Sequence, residues 1–196
     1  MPEYTLKTLF LATWALILII RAPFASSWQR HRNPITDNRS SPLDTFMIFF
    51  ASLGYIFLPF SALFTPWLSF ASYQTEPWAT KLGLTIYTCA LWLLWRSHLD
   101  LGPNFSPKLE IQTQQTLIMR GTYKVIRHPM YASFGLVGIA QLFLLENWIA
   151  GPAGLISLLP LYFFRIPNEE RMMLDHFGEA YQEYLRRTKR VIPRFW

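Results

Sequence analysis

The sequence is poor in charge, holds one cysteine, and carries none of the common metal or phosphate motifs. Only 15% of its 196 residues are charged, against about a quarter in ordinary soluble domains. With 52% hydrophobic residues, that scarcity excludes a conventional water-facing surface. The single Cys89 excludes a disulfide framework and a cysteine-rich metal site. It falls within an apolar run and is expected to be a core residue. There is no Gly-x-Ser-x-Gly elbow, phosphate loop or His-Glu-x-x-His pair. The nearest metal-like spacing is His98 with Asp100, which reads as the start of a loop at a membrane surface. His31 and His176 read as solvated or packed histidines, so no metal is expected. No basic stripe interleaved with exposed aromatics suggests a nucleic-acid groove, and no nucleic-acid partner is expected.

What the chain has in quantity is apolar length. Runs follow Lys7 (LFLATWALILII), Thr45 (through Phe64), Leu82 (through Trp95), Tyr131 (through Ala150) and Ala153 (through Phe164). Crossing about 30 Å of hydrocarbon takes about 20 residues. The second and fourth runs reach that length alone, and the others reach it with their flanks. The expected fold is an all-α integral membrane protein with about five transmembrane helices. The first run lacks a small-residue cleavage site, and Arg21 with Pro23 is expected to end it, so it reads as a retained helix.

Basic residues then orient the spans. Arg21, Arg30, Arg32 and Arg39 lie between the first two runs, and Arg96, Lys108, Arg120, Lys124 and Arg127 between the third and fourth. The tail from Arg165 onward is equally basic. The opposite side keeps Lys7, Lys81, Glu3, Glu76 and Glu146. This bias places the N-terminus outside and the C-terminal half in the cytoplasm, and the net charge of +6 reads as attraction to anionic membrane lipids.

The chain shows one domain over residues 1–196, without internal repeats. Residues 1–95 would supply N-terminal spans and a polar arm from Arg21 to Pro42, and residues 96–196 a functional half. The link from Arg96 to Arg127 contains an alternating KLEIQTQ that reads as a short strand, with turn signals at Gly102-Pro103 and Arg120-Gly121. After the last run, one amphipathic helix is expected, capped by Asn168. Its apolar side would carry Met172, Met173, Phe177, Ala180, Tyr181, Tyr184 and Leu185. It would lie on the membrane or pack beneath the spans.

Two polar clusters sit at the edges of apolar runs. One is Tyr123, Arg127, His128 and Tyr131 around Pro129. The other is Arg165, Glu169 and Glu170 around Pro167. Taken singly, the arginines can anchor helix ends to lipid phosphates, and the glutamates can stabilise a helix N-terminus. A hairpin of the last two spans would bring both clusters to one cytoplasmic face, where buried charge marks function.

The motif GTYKVIRHPMYA, a hairpin, and then FFRIPNEERMMLDHFGEAYQEYLRRTKRVIP together resemble the isoprenylcysteine carboxyl methyltransferase family, as does the upstream DLGPNFSP. The resemblance covers roughly residues 95–193. It implies a transferase binding S-adenosylmethionine in a pocket of the C-terminal half. Cofactor contacts carried over by position are Gln115, Thr116, Leu117, Ile118, Tyr123, His128, Pro129, Met130, Tyr131 and Glu169. Arg165 would be the catalytic arginine that holds the substrate carboxylate. Arg171 stands where the family's acidic run often continues, and Gln115-Thr116 replaces a histidine-containing pair of some members.

The implied acceptor is a lipophilic, prenylcysteine-like carboxylate entering from the bilayer. Such an acceptor is already ionised and needs no general base, so the chemistry reduces to orientation and partial dehydration. The alternatives are methylation of a phospholipid or other small lipid, a sterol-type reductase, and a non-catalytic membrane adaptor.

Overall fold

The computed structural model describes residues 3–30 and 33–193. His31 and Arg32 of the predicted arm, and Arg194 of the basic tail, lie outside the described residues. The first helix, α1 (Glu3–Arg30), does not stop at Arg21. Pro23 forfeits one backbone hydrogen bond, yet the helix continues to Arg30, so the first half of the expected arm is helical. At its end Trp28 Nε1 donates to Glu110 Oε1 at 3.0 Å. The chain then forms β1 (Ile35–Asn38), which pairs antiparallel with β2 (Glu110–Gln112), the strand expected from KLEIQTQ. The arm is therefore tied to the following link.

Helix α2 (Pro42–Ser52) starts at a capping box in which Ser41 and Asp44 satisfy each other's backbone amides. It runs through a π-helical turn, Leu53–Phe57, into α3 (Leu58–Phe64). Helix α4 (Pro77–Leu101) follows a short 3-10 segment. His98 and Asp100 are buried in its last turns rather than at a loop start. The expected fourth span breaks early: α5 covers Pro129–Leu144, and α6 opens at Ala150. Asn147 makes that break, accepting from the Ile149 and Ala150 amides at 3.0 and 2.9 Å and donating to Leu68 O at 2.7 Å.

Helix α6 (Ala150–Pro160) continues through a second π-helical turn, Leu161–Arg165, into α7 (Ile166–Phe177). Asn168 consequently caps nothing, because helix already precedes it. Each π turn ends two residues before a proline, Pro59 or Pro167. A proline lacks the amide an α-helix needs and crowds the carbonyl four residues back. The wider turn accommodates both effects. The expected single tail helix is also two, α7 and α8 (Glu179–Arg187), separated at Gly178 with φ 54°. That angle suits glycine alone at no steric cost.

The main core joins Ile17, Met47, Tyr55, Tyr87, Leu94, Val137 and Leu158. A smaller one packs Leu109 and Ile111 against Met172, with Met173 and Phe177 at its edge. Of the predicted apolar tail positions, Tyr181 and Tyr184 are buried, whereas Ala180 is exposed. Cys89 is exposed too. The buried face of α4 follows Gly83, Tyr87, Ala90 and Leu94, and Cys89 points away from it. Large apolar residues such as Leu18, Ile19, Phe49, Trp92 and Phe164 are likewise exposed, as expected of a hydrocarbon-facing surface. Two segments, Tyr4–Arg30 and Pro42–Phe64, are long and apolar enough to cross a membrane, and α5 is a shorter apolar helix.

Candidate active site

Pro129 opens α5 at a position where its missing amide costs nothing. Just before it, the Arg127 and His128 amides donate to Lys189 O and Arg190 O at 2.8 and 2.9 Å. The tail is thus strapped to the start of α5. Tyr184 adds a hydroxyl bond to Tyr123 O at 2.7 Å. Tyr123 itself is set by the turn at Gly121, where φ is 59° and any Cβ would overlap the Asp100 carboxylate. Asp100 accepts from the Thr122 amide at 2.7 Å and its hydroxyl at 3.0 Å, and pairs with Arg96. The paired glutamates of α7 separate in role. Glu170 accepts from Arg127 Nε at 2.8 Å, from Arg190 Nε at 2.9 Å, and lies 3.3 Å from His128 Nε2. Burial alone raises the Glu170 carboxyl, but hydrogen bonds from His128, Arg190 and Arg127 outweigh it and hold the group at about 2.

Glu169 faces the other way, into a cavity of about 380 Å³, a size that suits a small-molecule ligand. Its Oε2 accepts from the Tyr131 hydroxyl at 3.2 Å, and that same oxygen of Tyr131 accepts from Arg165 Nε at 3.0 Å. Arg165 further donates from Nη2 to Pro107 O at 3.1 Å, and its Nη1 lies 3.9 Å from Asp44 Oδ1. One tyrosine hydroxyl therefore joins a carboxylate to a guanidinium at the cavity wall.

Of the residues expected from the sequence, Gln115, Thr116, Leu117, Ile118, Tyr123, His128, Met130, Tyr131, Arg165 and Glu169 all line this one cavity. Pro129 does not; it is fully buried behind the lining. The segment from Gln115 to Ile118 has no regular structure and is held by Asn104 Oδ1, which accepts from the Thr116 amide at 2.7 Å. Among the described residues, the Leu117 and Ile118 amides donate no backbone bond, leaving them available to a ligand.

The cavity is not confined to the C-terminal half. Trp14 of α1, and Ile48, Ala51 and Tyr55 of α2 and its π turn, add apolar lining with Phe134, Leu158 and Leu161, and Arg21 of α1 adds a cation. The sequence reading missed Arg21 and Asp44 as site neighbours. The Ser41-x-x-Asp44 capping pattern was visible, but nothing local said that the second oxygen of Asp44 would face Arg165. His98 lies outside the lining, between Phe24 and Phe105 with ring centroids 4.9 Å away.

Comparisons with known proteins agree on one family. The model of the isoprenylcysteine carboxyl methyltransferase (ICMT) family matches residues 81–175. Protein-S-isoprenylcysteine O-methyltransferase B of Arabidopsis thaliana is 27% identical over 59% of this chain and 60% of its own length. The Homo sapiens protein-S-isoprenylcysteine O-methyltransferase is 25% identical over 81% of this chain and 57% of its own. That of Schizosaccharomyces pombe is 33% identical over 39% of this chain and 33% of its own. The chain thus spans less than two thirds of these relatives. A solved structure, the eukaryotic intramembrane Ras methyltransferase ICMT without a monobody, superposes with TM-score 0.63 at 22% identity. It covers 99% of this chain and 68% of that one. The helical fold is thus shared across the chain's length, and residues 81–175 carry a pattern similar to that of the isoprenylcysteine carboxyl methyltransferase family.

Proposed function

We propose that this protein is an S-adenosylmethionine-dependent carboxyl O-methyltransferase acting on a lipophilic, prenylcysteine-like acid. The observation that carries this reading is the bipolar cavity. Its wall joins a polar set, Glu169, Tyr123, the Leu117 and Ile118 amides and the Arg165 guanidinium, to an apolar set that includes Ile48, Tyr55 and Leu158. The polar set suits the cofactor: a carboxylate for its ribose or ammonium group, backbone donors for its base, and aromatic and thioether walls from Tyr123, Met130 and Met172. When bound there, S-adenosylmethionine supplies an electrophilic methyl group on a sulfonium.

The chain's own residues have three tasks. Glu169 anchors the donor, and the Tyr131 hydroxyl keeps Glu169 and Arg165 in fixed relation. Arg165 retains donors on Nη1 and Nη2 beyond those given to Tyr131 and Pro107, enough to receive an acceptor carboxylate. Arg165 would present one carboxylate oxygen of the acceptor to that methyl group, and the donor held by Glu169 would leave as a neutral thioether. No proton is transferred, so no general base is required. Holding a partly dehydrated carboxylate in line supplies the catalysis, by orientation worth up to about 7–11 kcal/mol.

In this reading five helical segments span the bilayer, with the N-terminus outside and the C-terminal half in the cytoplasm. The domain is single, since both halves of the chain line the cavity. The lipid tail enters from the membrane and the cofactor from water. The guanidiniums of Arg21 and Arg165 in the wall repel an amine acceptor, which disfavours phospholipid N-methylation.

The test is titration calorimetry of S-adenosylhomocysteine into detergent-purified protein. Binding is expected in the wild type and should weaken at least tenfold in Glu169→Gln and in His128→Ala. A folded wild-type protein that takes up none of it overturns the proposal.

A further inference from the structure

Among the described residues, Arg21 is a half-buried cation of this cavity with neither a hydrogen bond nor an ion pair. It sits within a helix long and apolar enough to cross a membrane, and it lines the cavity. Its guanidinium lies 5.9 Å from the Phe105 ring centroid and 5.6 Å from that of Phe134. Among the described residues, no carboxylate or carbonyl takes any of its protons. Arg127 and Arg165 differ: the first is clasped by Glu170, and the second by Tyr131, Pro107 and the nearby Asp44. A cation held in apolar surroundings without an anion is costly. Two aromatic faces offset part of that cost, but the polar protons stay unmatched. An ionisable residue so placed in a spanning helix marks a ligand or ion site.

We propose that Arg21 is a second oxyanion-binding residue of this cavity and a determinant of acceptor specificity, recognising the carboxylate-bearing head of the lipophilic acceptor. The proposal rests on the acceptor reading given above. Its geometry comes from shared neighbours. Phe105, under Arg21, is two residues from Pro107, whose carbonyl holds Arg165. Phe134 is three residues, less than one helical turn, from Tyr131, whose hydroxyl holds Arg165. The two guanidiniums therefore line the same cavity against side chains from one turn of α5. Arg165 already has counter-charge in Asp44 at 3.9 Å, so its positive field is partly spent. An entering carboxylate gains most from the cation with none. A neutral amide or ester gains little, so Arg21 favours the unmethylated acid over its ester product and assists product release.

The same chemistry, an oxyanion on a lipophilic molecule, is also offered by a bilayer phosphate. The experiment separates the two. Wild type, Arg21→Gln and Arg21→Lys are purified in a neutral maltoside detergent. Binding of an S-farnesylated N-acetylcysteine and of its primary carboxamide is then titrated calorimetrically. The wild type should prefer the carboxylate, and Arg21→Gln should lose roughly tenfold to a hundredfold of the carboxylate's affinity. Carboxamide binding should change less than threefold. Arg21→Lys, which keeps the charge without the fork, should recover part of the loss. A carboxylate-to-carboxamide ratio unchanged in folded Arg21→Gln overturns the proposal. Should that variant not fold, an unchanged ratio in Arg21→Lys overturns it equally. Displacement of the farnesyl probe by phosphatidylglycerol in wild type but not in either variant reassigns Arg21 to a lipid phosphate, and overturns it as acceptor recognition. S-Adenosylhomocysteine titrations run alongside: their failure alone sinks the methyltransferase reading and leaves the carboxylate preference to be judged separately.

Discussion

Replacing Glu170 by Gln removes one negative charge from a point where two guanidiniums and an imidazole converge. The carboxylate is 8% exposed. It takes Arg127 Nε at 2.8 Å, Arg190 Nη2 at 2.8 Å and Nε at 2.9 Å, with His128 Nε2 at 3.3 Å. A glutamine offers one neutral oxygen in place of two charged ones, and its amide protons face donors. Breaking a buried ion pair by removing one partner costs about 3–5 kcal/mol. Arg190 is one-third exposed and can turn to water, so the lower end, about 3 kcal/mol, is expected. The assay is reversible denaturant unfolding in mixed micelles as a function of pH. The Glu170 carboxyl, held at about 2 in the fold against an ordinary 4.5, contributes fully above about pH 4.5. That contribution disappears as pH falls towards 2, because the folded-state value lies below the unfolded one. The variant should therefore be less stable than wild type at pH 7, and the gap should narrow on acidification below pH 4.5. Equal stability at pH 7, or a gap that widens in acid, would refute the reasoning.

Three further outcomes can be checked. Arg165→Ala should leave S-adenosylhomocysteine affinity within a few fold while lowering kcat/KM for a carboxylate acceptor about a hundredfold or more. Undiminished turnover would show that the carboxylate is held elsewhere. Tyr131→Phe removes the hydroxyl shared by Arg165 and Glu169. It should reduce kcat roughly tenfold with little loss of stability, and steady-state kinetics identical to wild type would contradict the bridging role. Gly54→Ala should destabilise by about 1–3 kcal/mol or more, because a Cβ there overlaps the Ala153 carbonyl and Ser157 side chain. An unchanged melting temperature would mean that α6 shifts freely against the π turn.

The apolar runs foretold where long helices form, because hydrophobic length and helix formation are both properties of a local window. Their ends were less legible. Pro23 did not stop α1, and Pro160 and Pro167 did not separate α6 from α7, since π-helical geometry absorbed Pro167 without breaking the rod. Asn147 ended the fourth run early through a bond to Leu68 O, a partner no window around Asn147 contains. The site was legible where its residues are close in sequence: Tyr123, His128 and Tyr131 on one segment, Arg165 and Glu169 on another. The divergence of Glu169 and Glu170 was not legible. Which neighbour faces the cavity depends on the rotation of α7, and that is set by Met172 packing on Leu109 and Ile111.

From the sequence alone come the scarcity of charge, the spanning lengths, and two polar clusters at the edges of apolar runs. These follow from local composition and from the spacing of a helical turn. Only the tertiary structure brought Arg21 of α1 to the same cavity as Arg165, and Asp44 of α2 within 3.9 Å of that guanidinium. Helix faces are chosen by long-range contacts, such as Tyr55 hydroxyl to Phe134 O at 2.7 Å and Gln141 to Gly54 O at 3.0 Å. A charge in an apolar helix acquires its meaning only when packing determines what it must face.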